Sequence, residues 1–418
     1  VKGRGRSRAR GSGPALRADP PPVRLGDVDG PQSSRWRSGS AELDFVLGGG
    51  LVPGSMVLVG GEPGIGKSTL LLQLAAHLQV AGLRALYVSG EESAAQVRLR
   101  ADRLGQGAID VAFLPATGLE AIVAAADELR PNVLVIDSIQ TTYSETLEAT
   151  PGSVLQVREC AARLQRYAKE TGTTVVLVGH VTKEGSVAGP RTLEHIVDTV
   201  LYFEAAKGLD HRLLRATKNR FGAADEIGVF RMSAAGLLPV ANPSELFLRE
   251  RPDAVSGTAV AATLEGTRPL LVEVQALCTR SSYGAPQRAA TGFDRQRLAL
   301  LLAVLEKRAG LRFAETDVFL NVVGGVRLTE TAADLAVIVA LASSMSDREI
   351  PAATAFVGEV GLGGELRAVG QMERRLAEAA RMRFARVYAP APAPVPQNGV
   401  EVTPLRDVHA LLAALFGP

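Results

Sequence analysis

The segment Gly61-Glu62-Pro63-Gly64-Ile65-Gly66-Lys67-Ser68 joins spaced glycines to a lysine and a hydroxyl. It fits G-x-x-x-x-G-K-[ST] without a mismatch. Glycines let the backbone curl so that its N–H groups face phosphate oxygens, and the helix that follows adds positive potential at its start. Residues Gly61 to Thr69 are therefore expected to hold ATP. Lys67 is expected to neutralise the β and γ phosphates, and Ser68 to ligate Mg²⁺. Such a site needs a second metal-side carboxylate on a neighbouring strand. Asp137 follows four apolar residues, Val133-Leu134-Val135-Ile136, which places it at a strand's carboxyl end, where ligands bind in sheets of this kind. Hydrolysis also needs a group that polarises water. In Tyr87-Val88-Ser89-Gly90-Glu91-Glu92 the first choice is Glu91, with Glu92 as the fallback.

These side chains need a frame. Residues 55–59, 85–89, 133–136, 175–179 and 200–203 are short apolar runs that read as buried strands. Amphipathic stretches separate them. Val154, Val157, Ala161, Leu164 and Ala168 step by threes and fours onto one helix face. Strands alternating with helices predict an α/β fold with a mainly parallel sheet covered on both sides. Asn242-Pro243 marks a boundary. Beyond it, residues 258–264 and 270–277 flank the turn Glu265-Gly266-Thr267, a hairpin pattern. A helix over 294–307, a strand, a helix over 333–343 and a second hairpin at Gly363-Gly364 follow, then a proline-rich surface loop over 390–396. The expected organisation is a basic tail over 1–24, an ATPase domain over 25–245 and a smaller α/β domain over 246–418.

Composition sets the outer limits. The chain has 418 residues, 46% hydrophobic and 22% charged, which suits two globular domains, or one large one with extensions, and excludes a mostly disordered chain. No apolar run reaches the ~18 residues of a membrane span. The N-terminus is basic with no apolar core behind it, unlike a secretory signal. Cys160 and Cys278 are too few for a disulfide framework or a four-cysteine zinc site, which points to a reducing, cytoplasmic setting. The net charge of +2 announces no nucleic-acid partner by itself. The tail, however, carries Lys2, Arg4, Arg6, Arg8, Arg10 and Arg17 against Asp19 alone. It reads as disordered, either a solvated leader or a phosphate-binding arm.

The position of Glu91, one strand after the P-loop, resembles the RecA-like ATPases rather than the AAA+ group. Four segments narrow the likeness: YVSGEES over 87–93, VIDSIQ over 135–140, HVTKEG over 180–185 and KNRFG over 218–222. Together they are similar to the RadA (Sms) family of bacterial DNA-repair proteins, from residue 25 to the C-terminus. The resemblance implies a homo-hexameric, DnaB-type motor that uses ATP and Mg²⁺. It implies action on recombination intermediates, by branch migration and D-loop extension, with single-stranded and branched DNA and the RecA recombinase as partners. Lys218 and Arg220 match the family's finger, which would reach the γ-phosphate of a neighbouring subunit. His180 looks like a polar sensor at a strand end. Lys183 and Arg191 fall in a loop that resembles a DNA-facing one, whereas the loop over 141–153 carries Glu145 and Glu148 and suits DNA less well. The family's four-cysteine zinc module is not seen, since no cysteine precedes Cys160.

Residues from 256 onward resemble the proteolytic domain of Lon, which raises ATP-driven proteolysis as a rival. Ala332 stands where the serine nucleophile is expected, and Glu373 where the lysine is expected. Beyond residue 246 the single lysine is Lys307. An alanine cannot attack a carbonyl, so this domain reads as a non-proteolytic scaffold. A non-motor RecA-like ring with a scaffolding or regulatory role shares the P-loop and the finger, and stands as the second reading.

Overall fold

The computed structural model describes residues 24, 35–105, 107–180, 192–205, 211–248, 255–281, 285–392 and 399–417. The basic tail and the loop bearing Lys183 and Arg191 lie outside the described residues.

The chain enters through α1 (Ala41–Val46), then β1 (Met56–Gly61), α2 (Lys67–Val80), β2 (Ala85–Ser89), α3 (Ala94–Leu104), β3 (Ala112–Leu114), α4 (Leu119–Leu129), β4 (Val133–Asp137), α5 (Val154–Thr171) and β5 (Thr174–His180). It continues through β6 (Thr199–Ala205), β7 (His211–Asn219), β8 (Ile227–Ser233) and β9 (Gly236–Pro239). These strands form one sheet in the order β3-β2-β4-β5-β1-β6-β7-β8-β9. From β3 to β6 every neighbouring pair is parallel. Side chains alternate between two buried faces, as the apolar runs require. Val57, Val59, Tyr87 and Val135 pack with α2 and α3 on one face. Met56, Leu58, Leu134 and Ile136 pack with α4 and α5 on the other.

The last four strands run antiparallel. The parallel core was legible from continuous apolar runs. The antiparallel extension was not, because β7 and β9 have exposed or half-buried residues among their apolar ones and carry no single pattern. The fold is thus a RecA-like P-loop core with a mainly parallel sheet.

Pro243 opens α6 (Pro243–Leu248), at the first helical position, where a missing N–H costs nothing. The Ser244 hydroxyl then accepts from Leu271 N at 3.1 Å, so α6 lies on the next sheet. That sheet is built from β10 (Thr258–Glu265), β11 (Arg268–Arg280), β12 (Arg288–Thr291), β13 (Thr316–Val322) and β14 (Thr354–Phe356). Between them lie α7 (Arg295–Ala309) and α8 (Asp334–Ser346), and the pair β15 (Glu359–Val360) and β16 (Leu366–Arg367) stands apart. The chain closes with α9 (Met372–Arg381), β17 (Arg386–Pro390), β18 (Glu401–Leu405) and α10 (Val408–Phe416). The order is β12-β13-β11-β10-β14-β17-β18. Pro390, expected in a surface loop, is instead the buried last residue of β17; residues 393–396 of that stretch lie outside the described residues.

The two sheets are clamped by the tip of the β10–β11 hairpin. Arg215 on β7 donates to Glu265 Oε2 at 2.6 Å, and Arg268 grips both oxygens of Glu42 on α1 at 2.5 and 2.9 Å. Burial raises the Glu265 carboxyl, against the pull of Arg215. Thr267 N donates to Glu226 Oε1 at 3.0 Å. Gly266 sits between them at φ +58°, where a Cβ would come within 2.8 Å of the Glu226 carboxyl, so only glycine fits the turn. Beneath the tip, Leu213, Ile227 and Val229 share a core with Ala259, Val272 and Val274. The described residues from Arg35 onward form one compact unit.

Candidate nucleotide-hydrolysing site

β1 ends at Gly61, and the chain turns through Gly64 and Gly66 into α2. Both glycines have positive φ, +76° and +117°. A Cβ at Gly66 would meet Met232 Cε at 2.9 Å, and nothing lies within 4 Å of the place a Cβ would take at Gly64. The loop is therefore open on one side. Gly66 caps α2 without any side-chain bond to the first-turn N–H groups, which leaves donors for an anion. Ser68 and Thr69 follow in that first turn, half-buried.

The Lys67 ammonium donates to the carbonyls of Gly61 at 2.9 Å and Glu62 at 3.0 Å. It also lies 3.3 Å from His180 Nδ1. Burial lowers its pKa, while Asp137 and Glu91 push the other way. Nε2 of the same His180 ring is 3.3 Å from Glu91 Oε1. The Ser138 hydroxyl donates to that oxygen as well. His180, with Ser138 in support, holds the Glu91 carboxyl below its ordinary value against the opposing effect of burial.

The two candidate glutamates separate cleanly. Glu92 is held by the two terminal guanidinium nitrogens of Arg100, at 2.6 and 2.5 Å, and faces α3. Glu91 joins the P-loop side through Ser138 and His180. The glycine before them explains the path. A Cβ at Gly90 would lie 2.6 Å from both Thr117 and Thr141, so the chain threads a gap no other residue fits. Ser89 Oγ then accepts from Glu91 N and Glu92 N at 3.4 and 3.1 Å, and Ser93 starts α3 with a capping box to Gln96. YVSGEES is thus a strand end, a tight turn and a helix start in one run.

Asp137, the last residue of β4, is 3% exposed and accepts from the Tyr87 hydroxyl at 2.6 Å. A carboxylate and a serine hydroxyl are hard oxygen donors, the chemistry Mg²⁺ prefers. The open glycine loop, the uncapped helix start and this donor pair fit a Mg²⁺–nucleotide. Lys67 and the Gly61–Thr69 backbone would hold the phosphates, with Ser68 and Asp137 on the metal, which would neutralise developing phosphate charge. Sequence reasoning missed Ser138, Tyr87 and Arg100 as partners. All three lie inside or beside the motifs, but which carboxylate each meets depends on the fold.

Lys218 and Arg220 lie elsewhere. Thr199 pairs with both Val57 and Asn219, so the turn sits at the entry end of β1. Gly61 is four residues further along that strand, about 13 Å at ~3.3 Å per residue. Neither side chain is brought to the chain's own P-loop. Lys218 Nζ donates to the carbonyls of Glu194 and Val197, at 2.5 and 2.8 Å. Arg220 pairs with Asp198 at 3.0 Å while its side chain stays 53% exposed. The rest of KNRFG shapes the turn. Asn219 Oδ1 accepts from Phe221 N at 2.9 Å, and Arg35 donates to Phe221 O at 2.8 Å. Gly222 packs against Gly48, where a Cβ would be 3.0 Å from its Cα.

In the second sheet, Ala332 is 1% exposed, in a short turn leading into α8. Glu373 is exposed on α9, and Lys307 is exposed on α7. Two residues before Ala332 and two after Glu373 stand the partners of a half-buried ion pair: Arg375 donates to both oxygens of Glu330 at 2.6 and 2.7 Å and to Ala262 O at 2.9 Å. Ala332 offers no nucleophilic atom, and Glu373 carries no amine. Incubation with an unfolded protein and ATP is expected to leave that substrate intact on a gel. Cleavage that vanishes on replacing a C-terminal serine overturns this assignment.

Among the described residues no helix is long and apolar enough to cross a membrane. Residues 31–186 match a family model described as an AAA domain. Among solved structures, the chain is similar to a KaiC-like protein from Pyrococcus horikoshii (23% identity, TM-score 0.43, covering 50% of this chain and 99% of that one). The RadB recombinase is also similar (21% identity, TM-score 0.40, covering 49% and 98%). Among curated proteins, DNA repair protein RadA of Bacillus subtilis is 48% identical over 399 residues, 95% of this chain and 87% of that one. RadA of Pseudomonas aeruginosa is 51% identical over 395 residues, 94% and 87% of the two chains. RadA of Halalkalibacterium halodurans is 50% identical over 373 residues, 89% and 81%. At such identity over nearly its whole length, the chain belongs to the DNA repair protein RadA family.

Proposed function

We propose that the protein is an ATP-driven DNA motor that works on recombination intermediates, extending or migrating branched DNA in the cytoplasm as a homo-hexamer. The observation that carries this reading is the linked set at one end of the parallel strands. Lys67, His180 and Glu91 are joined by two 3.3 Å contacts, with Asp137 among the charges acting on Lys67. Lys67 binds the phosphates, Ser68 and Asp137 serve Mg²⁺, and Glu91 orients and polarises the attacking water. His180 touches both Lys67 and Glu91 and precedes Lys183 by three residues in the sequence. A ring in that place senses the nucleotide and passes its state toward Lys183 and Arg191. Lys183 and Arg191 supply phosphate contacts to single-stranded DNA. Lys218 and Arg220 act on the neighbouring subunit's nucleotide, because they are remote from their own. The second sheet is a Lon-like scaffold that has no peptidase chemistry, locked to the motor by the hairpin tip. RecA is the recombinase it works beside.

Strand displacement on a forked DNA substrate tests the motor directly. The protein is expected to release the displaced strand with ATP and Mg²⁺, and to hydrolyse ATP faster when single-stranded DNA is present. DNA-stimulated hydrolysis with no displacement in either polarity, and no migration of a branched joint, would favour the non-motor ring instead.

A further inference from the structure

Tyr87 is fully buried in β2, and its ring stacks on Phe113 with centroids 6.4 Å apart. A phenylalanine would pack there equally well. The hydroxyl adds one thing, its 2.6 Å bond to Asp137 Oδ2. The two residues sit on adjacent parallel strands, Tyr87 opposite Val135 and Asp137 opposite Ser89. The contact is therefore diagonal, within reach of a long side chain. A carboxylate otherwise turns freely about its last torsion. One fixed donor on Oδ2 sets that torsion and leaves the other acceptor positions free.

We propose that Tyr87 is the positioning residue for Mg²⁺ at this site: its phenol fixes the rotamer of Asp137 so that the carboxylate meets the metal without reorganising. The inference rests on the reading of Asp137 as the metal-side carboxylate. It concerns a contact between side chains 50 positions apart, which no motif reveals. Outer partners of metal ligands commonly change metal affinity by ~10–100-fold when removed.

The test uses the full chain and a fluorescent ADP analogue, titrated with Mg²⁺ and, separately, in EDTA. Tyr87→Phe is expected to raise the Mg²⁺ concentration for half-maximal binding roughly 10-fold, with affinity in EDTA as in the wild type. Asp137→Asn is the positive control, and Phe113→Leu, which loosens the stack, is the packing control. Melting curves set a temperature at which every variant is folded. If Asp137→Asn shifts the Mg²⁺ curve and Tyr87→Phe does not, the positioning role is wrong while the metal site stands. If neither shifts it, the assignment of Asp137 falls and takes the proposal with it. If Phe113→Leu moves the curve as far as Tyr87→Phe, the effect is general packing and the proposal is overturned.

Discussion

Arg220→Ala is expected to lower ATP turnover by about 10³-fold or more, the typical weight of an arginine that stabilises charge on a transferring phosphoryl group. Nucleotide binding should survive, since the P-loop lies about 13 Å away along β1 at ~3.3 Å per residue. Stability should hardly change. The Arg220 side chain is 53% exposed, and such surface pairs contribute at most ~1 kcal/mol. Its partner Asp198 also keeps the bond from Met56 N at 3.0 Å. A Tm near wild type with hydrolysis lost would therefore separate a missing catalytic charge from a damaged fold. Mixing decides where that charge acts. Arg220→Ala subunits keep a sound P-loop, and Lys67→Ala subunits keep a sound finger. Rings of both contain some interfaces with two intact halves, so part of the activity should return. Two inactive variants that assemble together and never regain turnover would reduce Lys218-Asn219-Arg220 to a structural or DNA-binding turn. Lys218 already has a structural use, since its ammonium braces the carbonyls of Glu194 and Val197.

Lys67→Ala should lower kcat by about 10²-fold or more, a loss of ~2.7 kcal/mol in transition-state stabilisation. The ammonium in this structure rests on the carbonyls of Gly61 and Glu62 beside the open loop. Those carbonyls offer it a place to wait, and phosphate oxygens offer the stronger, charge-assisted contact. Removing it takes away one of the positive charges that would compensate the developing phosphate charge. Steady-state hydrolysis by the purified variant is the measurement, and near-normal turnover would end the P-loop reading. The same substitution unties His180 from one of its two neighbours, so any residual activity should also lose its stimulation by DNA.

Local chemistry was legible without a structure because it is written in adjacent residues. The glycine spacing from Gly61 to Gly66 demands positive φ, and the chain shows it at both Gly64 and Gly66. The apolar run before Asp137 demands a buried strand, and β4 is buried throughout. The turn Glu265-Gly266-Thr267 between apolar runs demands a hairpin, and β10 and β11 pair on either side of it. Each of these follows from steric or hydrophobic rules that act within about ten residues. Other features depended on which distant segments meet. Glu91 and Glu92 are identical in type and adjacent, and only the placement of Arg100 and His180 tells them apart. The remoteness of Arg220 from its own P-loop follows from the register of β6 with β1 and β7, not from its position in the chain. The clamp of Arg215 and Arg268 on Glu265 and Glu42 joins segments up to 226 positions apart. Charged and hydroxyl side chains carry no periodic signature, so their partners are chosen by the packing of the apolar faces beneath them, and only the tertiary structure contains that choice.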